Sequence, residues 1–207
     1  FAIRSRFAGH PSCSDKTRNA LRLKPDHPIG AGQSQDVKLR FVWVRRSMMI
    51  ETRHIRPEDY VDVGRIFFCA VHEGTNHVYS LVQRTAWSGL TIDLPRWKER
   101  LTTLAGFVAE VDGEPVGFIT VDPTGYIELA FVLPSAAGKS VGSALLARAE
   151  HLAFIQGATD LTTAASLAAL PFFERHGWGV LKEEQVERDG VILKRYQMQK
   201  HLPKSDR

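Results

Sequence analysis

Cysteine is scarce in this chain, with Cys13 and Cys69 the only two among 207 residues. They lie far apart and form no CxxC or Cys/His ligand spacing, which excludes a disulfide framework and gives no support for a structural zinc site. A reducing, cytoplasmic setting is the resulting expectation, and no metal is expected. Long apolar runs are missing too. None approaches the roughly 20 residues that a bilayer-spanning helix needs, so no membrane partner is expected. No internal repeat is visible. Neither phosphate-binding glycine motif is present: the spacing GxxxxGK(S/T) fails because only Gly138 stands before Lys139, and no GxGxxG follows a first strand.

Charge of one sign is concentrated rather than spread. The net charge of +4 and the pI near 9.2 suggest a nucleic-acid partner at first sight. Residues 1–48, however, carry 10 Lys/Arg against 3 Asp/Glu, whereas residues 49–207 carry 17 against 20. The patterned part of the chain is therefore mildly acidic. It has no basic patch interleaved with aromatics, and nucleic acid is not expected as its partner. The first 48 residues form a basic leader with scattered Gly, Pro and Ser and one strand-like piece, Leu39–Val44. Such a segment reads either as transit-like or as a linker or sequence upstream of the true start, poorly ordered or outside the native domain.

Residues 49–207 are long enough for one domain with a real core, and 43% of the chain is hydrophobic. Thr52–Arg56 reads as a strand, and Pro57-Glu58-Asp59 opens a helix that Gly74 stops. Helical stretches follow around Val78–Trp87 and Pro95–Leu104. Phe107–Val111 and Val116–Val121 are apolar runs joined through Asp112-Gly113, a hairpin signal. With Tyr126–Leu133 they predict a three-stranded antiparallel meander. Val141, Leu145, Ala149 and Leu152 then mark the apolar face of a helix of about 16 residues. Leu161-Thr162-Thr163 is β-prone, Leu167–His176 is helical with Gly177 ending it, and a hairpin turns at Asp189-Gly190. The fold class is α/β, with a mixed sheet flanked by helices.

The most informative stretch runs from strand through a loop of small residues into that long helix. Ala137, Gly138, Ser140, Gly142 and Ser143 let main-chain N–H groups approach a ligand. Together with the N–H of Val141 and the dipole of the helix they favour an anion, and Lys139 adds an opposite charge. A pyrophosphate is the natural guest. The alternative is a flexible turn capped by Ser140.

Val132-Leu133-Pro134 followed by this loop resembles the acetyl-coenzyme A loop of the GCN5-related N-acetyltransferase (GNAT) family. The usual form there is Gln/Arg-x-x-Gly-x-Gly/Ala. Gly142 matches the last position, while Ala137 replaces the Gln or Arg and Ser140 the central Gly. The stretch from Ser166 through Ala169, Phe172 and Phe173 to Gly177-Trp178 is similar to the family's Asn-x-x-Ala-x-x-Phe-Tyr-Glu-Lys-x-Gly-Phe segment. Likeness to small bacterial members extends over nearly all of residues 50–200. The resemblance implies a GNAT-type, mostly antiparallel central sheet, with acetyl-CoA as co-substrate and an N-acetyltransferase that moves acetyl to a small-molecule or peptide amine. It implies that the strand before the loop splays from its neighbour, so that the backbone of Phe131, Val132 and Leu133 holds the pantetheine arm and an N–H near Val132 polarises the thioester. Ser166, Phe172 and Phe173 would lie along the same arm. A homodimer is within the family's habits.

Glu128 interrupts an apolar strand and is the candidate base, on one face with Tyr126, Ala130 and Val132. Partial burial is expected to raise its pKa, and a solvent-facing position is the alternative. The family's frequent catalytic Tyr would fall at Phe173, which offers no hydroxyl. His72, His77, Tyr79 and Trp87 lie in the segment that commonly forms the acceptor wall, and Tyr126 joins them as substrate-facing; core packing of Tyr79 and Trp87 is the alternative. Phe67, Phe68 and Cys69 read as core, and His176 as a favourable charge at a helix end. The losses at positions 137, 140 and 173 leave a second function open, a CoA-binding module without turnover.

Overall fold

The computed structural model describes residues 49–203. The basic leader, Cys13 and the strand-like Leu39–Val44 lie outside the described residues. Within them the elements follow the periodicities of the sequence. They are β1 (Ile50–His54), α1 (Tyr60–His72), α2 (Leu81–Ser88), α3 (Leu94–Arg100), β2 (Gly106–Val111), β3 (Glu114–Val121) and β4 (Tyr126–Val132). Then come α4 (Val141–Ile155), β5 (Asp160–Ser166), α5 (Leu170–Arg175), β6 (Gly179–Arg188) and β7 (Val191–His201). Each sequence-read element is present, shifted by a few residues at its ends. The largest shift is at the end of α3, which stops at Arg100 rather than Leu104, and the start of α2 also moves. Helix α2 starts after Ser80, whose hydroxyl accepts from the Gln83 main-chain N–H while the Gln83 side-chain Oε1 accepts from the Ser80 N–H. That reciprocal cap satisfies two otherwise open donors and sets the helix start.

All seven strands join one sheet in the order β1-β2-β3-β4-β5-β7-β6. The meander β2-β3-β4 is antiparallel, β1 extends it, and only β4 and β5 run parallel. Both Asp-Gly turns have positive φ at both residues, 52° and 80° at Asp112-Gly113 and 49° and 73° at Asp189-Gly190. This is the twist that a two-residue hairpin requires. At the third turn the Asp122 carboxylate accepts from the N–H groups of Thr124 and Tyr126, at 2.9 and 3.0 Å, and so launches β4.

Helices cover both faces of the meander. Leu145 of α4 lies over Gly117, while the neighbouring Phe118 points the other way to meet Trp97 of α3 and Phe131. Successive residues of a strand face opposite sides, so α4 and α3 sit on opposite faces. Phe118, Ile119, Ile127, Leu145, Leu146 and Leu161 are fully enclosed between these layers. Each such side chain contributes roughly 1.5–3 kcal/mol by leaving water.

One ionic group ties the start of α1 to the sheet edge. Arg53 on β1 donates to both carboxylate oxygens of Asp59 and to Glu110 on β2, each at 2.8 Å. Asp59 also accepts from the Arg56 N–H at 2.7 Å. Burial alone would raise the Asp59 carboxyl, but the Arg53 and Arg56 hydrogen bonds outweigh it and hold it below the ordinary carboxylate value. A carboxylate depressed in the folded state contributes stability above its unfolded pKa, near 4, and loses it as pH falls through the folded value. Asp59→Asn should therefore lower stability at pH 7 by about 2 kcal/mol. In urea unfolding the gap to the unaltered protein should close progressively below about pH 4.

Candidate active site

The site begins where β4 and β5 part. They pair only at Tyr126↔Thr162 and Ile127↔Thr163. Three features hold the strands together there and release them beyond. The Thr163 hydroxyl donates to the Ile127 carbonyl at 2.9 Å. Glu128 is skipped in the β3–β4 register, where Thr120 faces Leu129 and Val121 faces Ile127, so β4 carries a bulge at Glu128. All seven residues of β5, meanwhile, are paired to β7. A bulge bends its strand and re-aims the side chains around it. Beyond Ile127, the main-chain groups of β4 that point away from β3 face a gap instead of a strand.

A cleft of about 430 Å³ occupies this gap, lined by Phe131, Val132, Ala137, Gly138, Ser166 and Phe172 among others. Its far end is the loop. Ala137 (φ −62°, ψ 144°) and Gly138 (φ 73°) form a type II turn, closed by the Lys139 N–H on the Ala136 carbonyl at 3.4 Å. Ser140 follows with φ 63° and ψ 5°, and its side chain does not cap α4. This rules out the simple capped turn that the sequence left open. Without a cap, the first-turn N–H groups of Val141, Gly142 and Ser143 keep no intrahelical partner, and they carry the positive end of the helix dipole. Gly142 is needed for the floor, because a Cβ there would stand 3.1 Å from the Phe172 ring. A diphosphate fits this cradle of open amides, and an extended amide-bearing arm fits the gap along β4.

α5 closes the cleft. It ends in a Schellman turn, with the Trp178 N–H on the Phe173 carbonyl and the Gly177 N–H on the Glu174 carbonyl, at 3.1 and 3.0 Å. The Phe173 and Trp178 rings pack at 4.9 Å and complete that motif. His176 is not merely a helix-end charge. Its Nδ1 meets the Phe172 carbonyl at 2.8 Å and its Nε2 the Ser143 hydroxyl at 2.9 Å, which ties α5 to the first turn of α4.

A larger cleft of about 910 Å³ adjoins the first. The two share Trp87, Ala130, Phe131, Ser166, Ala169 and Phe173. Aromatic edges form the shared wall: Phe131 meets Phe67 at 4.9 Å and Trp87 at 6.2 Å. Glu128 and Tyr126 line the larger cleft only. The Glu128 side chain is 43% exposed and ion-paired with Arg100, whose guanidinium lies 5.4 Å from the Trp97 ring. The expected partial burial of Glu128 is therefore not found. The bulge turns it outward into the cleft, where α3 supplies its partner.

Several sequence-read residues stand elsewhere than expected. Leu133 is buried and its N–H is spent on the Val116 carbonyl at 2.8 Å, so it offers no donor to the cleft. Val141 can contribute only its main chain, since its side chain is in the core, and Lys139 is exposed beside the loop. His77 is exposed and lines neither cleft. Tyr79 borders the larger cleft but is only 3% exposed. Its hydroxyl donates to the Lys194 carbonyl at 2.6 Å and accepts from the Leu167 N–H at 2.9 Å, so it braces the wall. Burial pushes its phenol above the usual value, against that Leu167 hydrogen bond. Conversely Phe67, Phe68, Trp97, Arg96 and Arg100 line the cleft without having been singled out for it. The spacing Arg96-x-x-x-Arg100, one helical face, was the available signal.

The left-handed backbone at Ser140 accounts for the glycine usual at this position of the loop that the sequence resembles, and nothing in the structure explains the serine. The left-handed backbone there costs an L-residue roughly 1–2 kcal/mol, and glycine far less. Ser140→Gly should therefore raise Tm by about 2–4 °C in a thermal melt, part of the relief being offset by the freer unfolded chain.

Comparison with known proteins agrees with this geometry. The sequence model of the acetyltransferase (GNAT) domain matches residues 75–200, more than half of the chain. The uncharacterized N-acetyltransferase YafP of Escherichia coli (strain K12) is 36% identical over 149 residues, covering 72% of this chain and 94% of YafP. The crystal structure of a GCN5-related N-acetyltransferase from Rhodopseudomonas palustris superposes with a TM-score of 0.71 at 31% identity, covering 75% of this chain and 98% of that one. The PaiA N-acetyltransferase of Thermoplasma acidophilum, solved in complex with coenzyme A, has a TM-score of 0.61 at 17% identity, covering 75% of this chain and 100% of PaiA. That likeness concerns the fold. With the open loop, the parted strands and the family match all on one sheet, the chain belongs to the GCN5-related N-acetyltransferase (GNAT) family.

Proposed function

We propose that the protein transfers the acetyl group of acetyl-CoA to a primary amine by direct attack in a ternary complex, with Glu128 as the base. The observation that carries this reading is the meeting of two clefts at Ala130, Phe131, Ser166 and Phe173. One cleft ends in open helix N–H groups suited to a diphosphate, and the other holds a carboxylate. Two reactants entering from opposite sides would meet at β4, where orientation alone lowers the barrier substantially. The amine nitrogen forms the new bond to the acetyl carbon, the C–S bond breaks, and the amine gives up a proton to Glu128 or through it to water. The coenzyme thiolate leaves and takes up a proton from solvent. Phe173 is buried and has no hydroxyl, so this reading assigns no side-chain acid to that step. A thiol of pKa about 8.5 is a workable leaving group near neutral pH without one.

The cradle residues in this reading are Ala137, Gly138, Ser140, Gly142 and Ser143, with the N–H of Val141. Phe131, Val132, Ser166 and Phe172 follow the arm, and Trp87 and Tyr126 face the acceptor.

Calorimetry should register acetyl-CoA binding to the purified protein, and a thiol-release assay should show turnover with some members of an amine panel. Glu128→Gln should lower kcat by roughly 10²-fold while leaving acetyl-CoA affinity in place. Binding with no thiol release across the panel would favour a CoA-binding module without turnover, which is the reading that Ala137, Ser140 and Phe173 suggest.

A further inference from the structure

Resting on the acetyl-transfer reading above, we propose that the acceptor is an amine carrying a carboxylate, as in a free amino acid, and that Arg96 and Arg100 receive that carboxylate. The two arginines are four residues apart on α3, which puts them on one face, and both line the larger cleft. Arg100 is held in place by the Trp97 ring and by its ion pair with Glu128. Arg96 has no ion pair among the described residues. The acids closest to it in sequence are Asp93 and Glu99, three residues to either side; Asp93 accepts the Arg96 main-chain N–H at 3.0 Å as the cap of α3, and neither carboxylate forms an ion pair with Arg96.

Asp93 itself lines the cleft, and the remaining charges of the cleft lie on the β6–β7 side. Lys194 and Arg195 are paired with Glu183 and Glu184. Glu187, Arg188 and Asp189 sit at the turn of that hairpin. On the wall between α3 and β4, Arg96 and Arg100 accompany two carboxylates, Asp93, which caps α3, and Glu128, which is paired with Arg100, so that Arg96 is the cation of that wall with no ion pair among the described residues. A planar guanidinium fork matches a carboxylate in two hydrogen bonds, which a substrate could supply where the protein does not. Glu128 stands on β4 two residues before Ala130, where the clefts meet. A molecule anchored by its carboxylate on α3 would thus present its amine past Glu128 to the acetyl carbon. The balance is that of the transfer above: N–C bond made, C–S bond broken, one proton released from nitrogen and one gained by sulfur. A diamine would instead bring its second ammonium against the two guanidiniums, a like-charge encounter.

The test uses the full chain with acetyl-CoA and a thiol-release readout. The panel contains L-amino acids, their methyl esters and amides, and simple diamines. The free acids should exceed their own esters and amides in kcat/KM by about tenfold or more, the effect of one charged hydrogen-bonded pair. Arg96→Gln should collapse that ratio toward unity, mainly through KM, and Arg96→Lys should restore part of it. Esters or diamines that match or surpass the acids, or a ratio untouched by Arg96→Gln, would overturn the carboxylate proposal and leave acetyl transfer standing. Acetyl-CoA binding with no thiol release from any amine would overturn both.

Discussion

The architecture of the site depends on one broken ladder. β4 and β5 make two residue pairs and then separate. In a sheet interior such a break exposes main-chain donors and acceptors that normally satisfy one another, and leaving them without partners is costly. The protein can keep the break because both strands are held elsewhere. β4 is paired to β3 through Val132, and β5 to β7 along its whole length. Sheet cohesion is thus preserved on either side of a gap that a polar, extended ligand can fill. The bulge at Glu128 serves both ends, since it turns β4 away from β5 and points the one carboxylate of that strand into the larger cleft.

The smaller and the larger cleft then acquire different characters from neighbouring elements. At the smaller cleft α4 starts without a side-chain cap, and Gly142 lets the Phe172 ring approach the first helical turn. The His176 ring bridges Phe172 and Ser143 across that turn. The helix end is thereby kept rigid without filling the space its N–H groups face. The strain at Ser140 is the accompanying expense, accepted where the chain must turn abruptly into the helix. At the larger cleft the wall built by α1 and α3 is aromatic and carries Arg96 and Arg100. Trp97 is buried against Phe118 below and carries Arg100 above, so core packing and cleft charge are linked through one side chain.

Much of the fold could be read along the chain. Asp112-Gly113 and Asp189-Gly190 make the turns their composition predicts. Phe107–Val111 and Val116–Val121 pair as expected, and Glu183 and Glu184 meet Lys194 and Arg195 across the terminal hairpin. These features depend on neighbours a few residues apart, so local spacing carries them. The loop from Ala137 to Ser143 was legible for the same reason. What could not be read was anything set by elements far apart in sequence. Leu133 looked like the next pantetheine donor until Val116 took its N–H. Tyr79 looked like a substrate contact until its hydroxyl was found bonded to Lys194 and Leu167. Phe67 read as core because apolar periodicity does not distinguish a core face from a cleft wall.

The sequence by itself therefore determined the order and kind of the elements, the tight turns and the small-residue entry to α4. Each of these follows from backbone preference and from residues within one or two turns of each other. Tertiary structure alone decided that β4 would leave β5 after Ile127, that Glu128 would face Arg100 rather than the interior, and that Arg96 would look into the same cleft. Those outcomes require β5 to lie between β4 and β7 and α3 to pack on Phe118. Both are long-range contacts, chosen by how the whole sheet and its covering helices can bury their apolar faces at once.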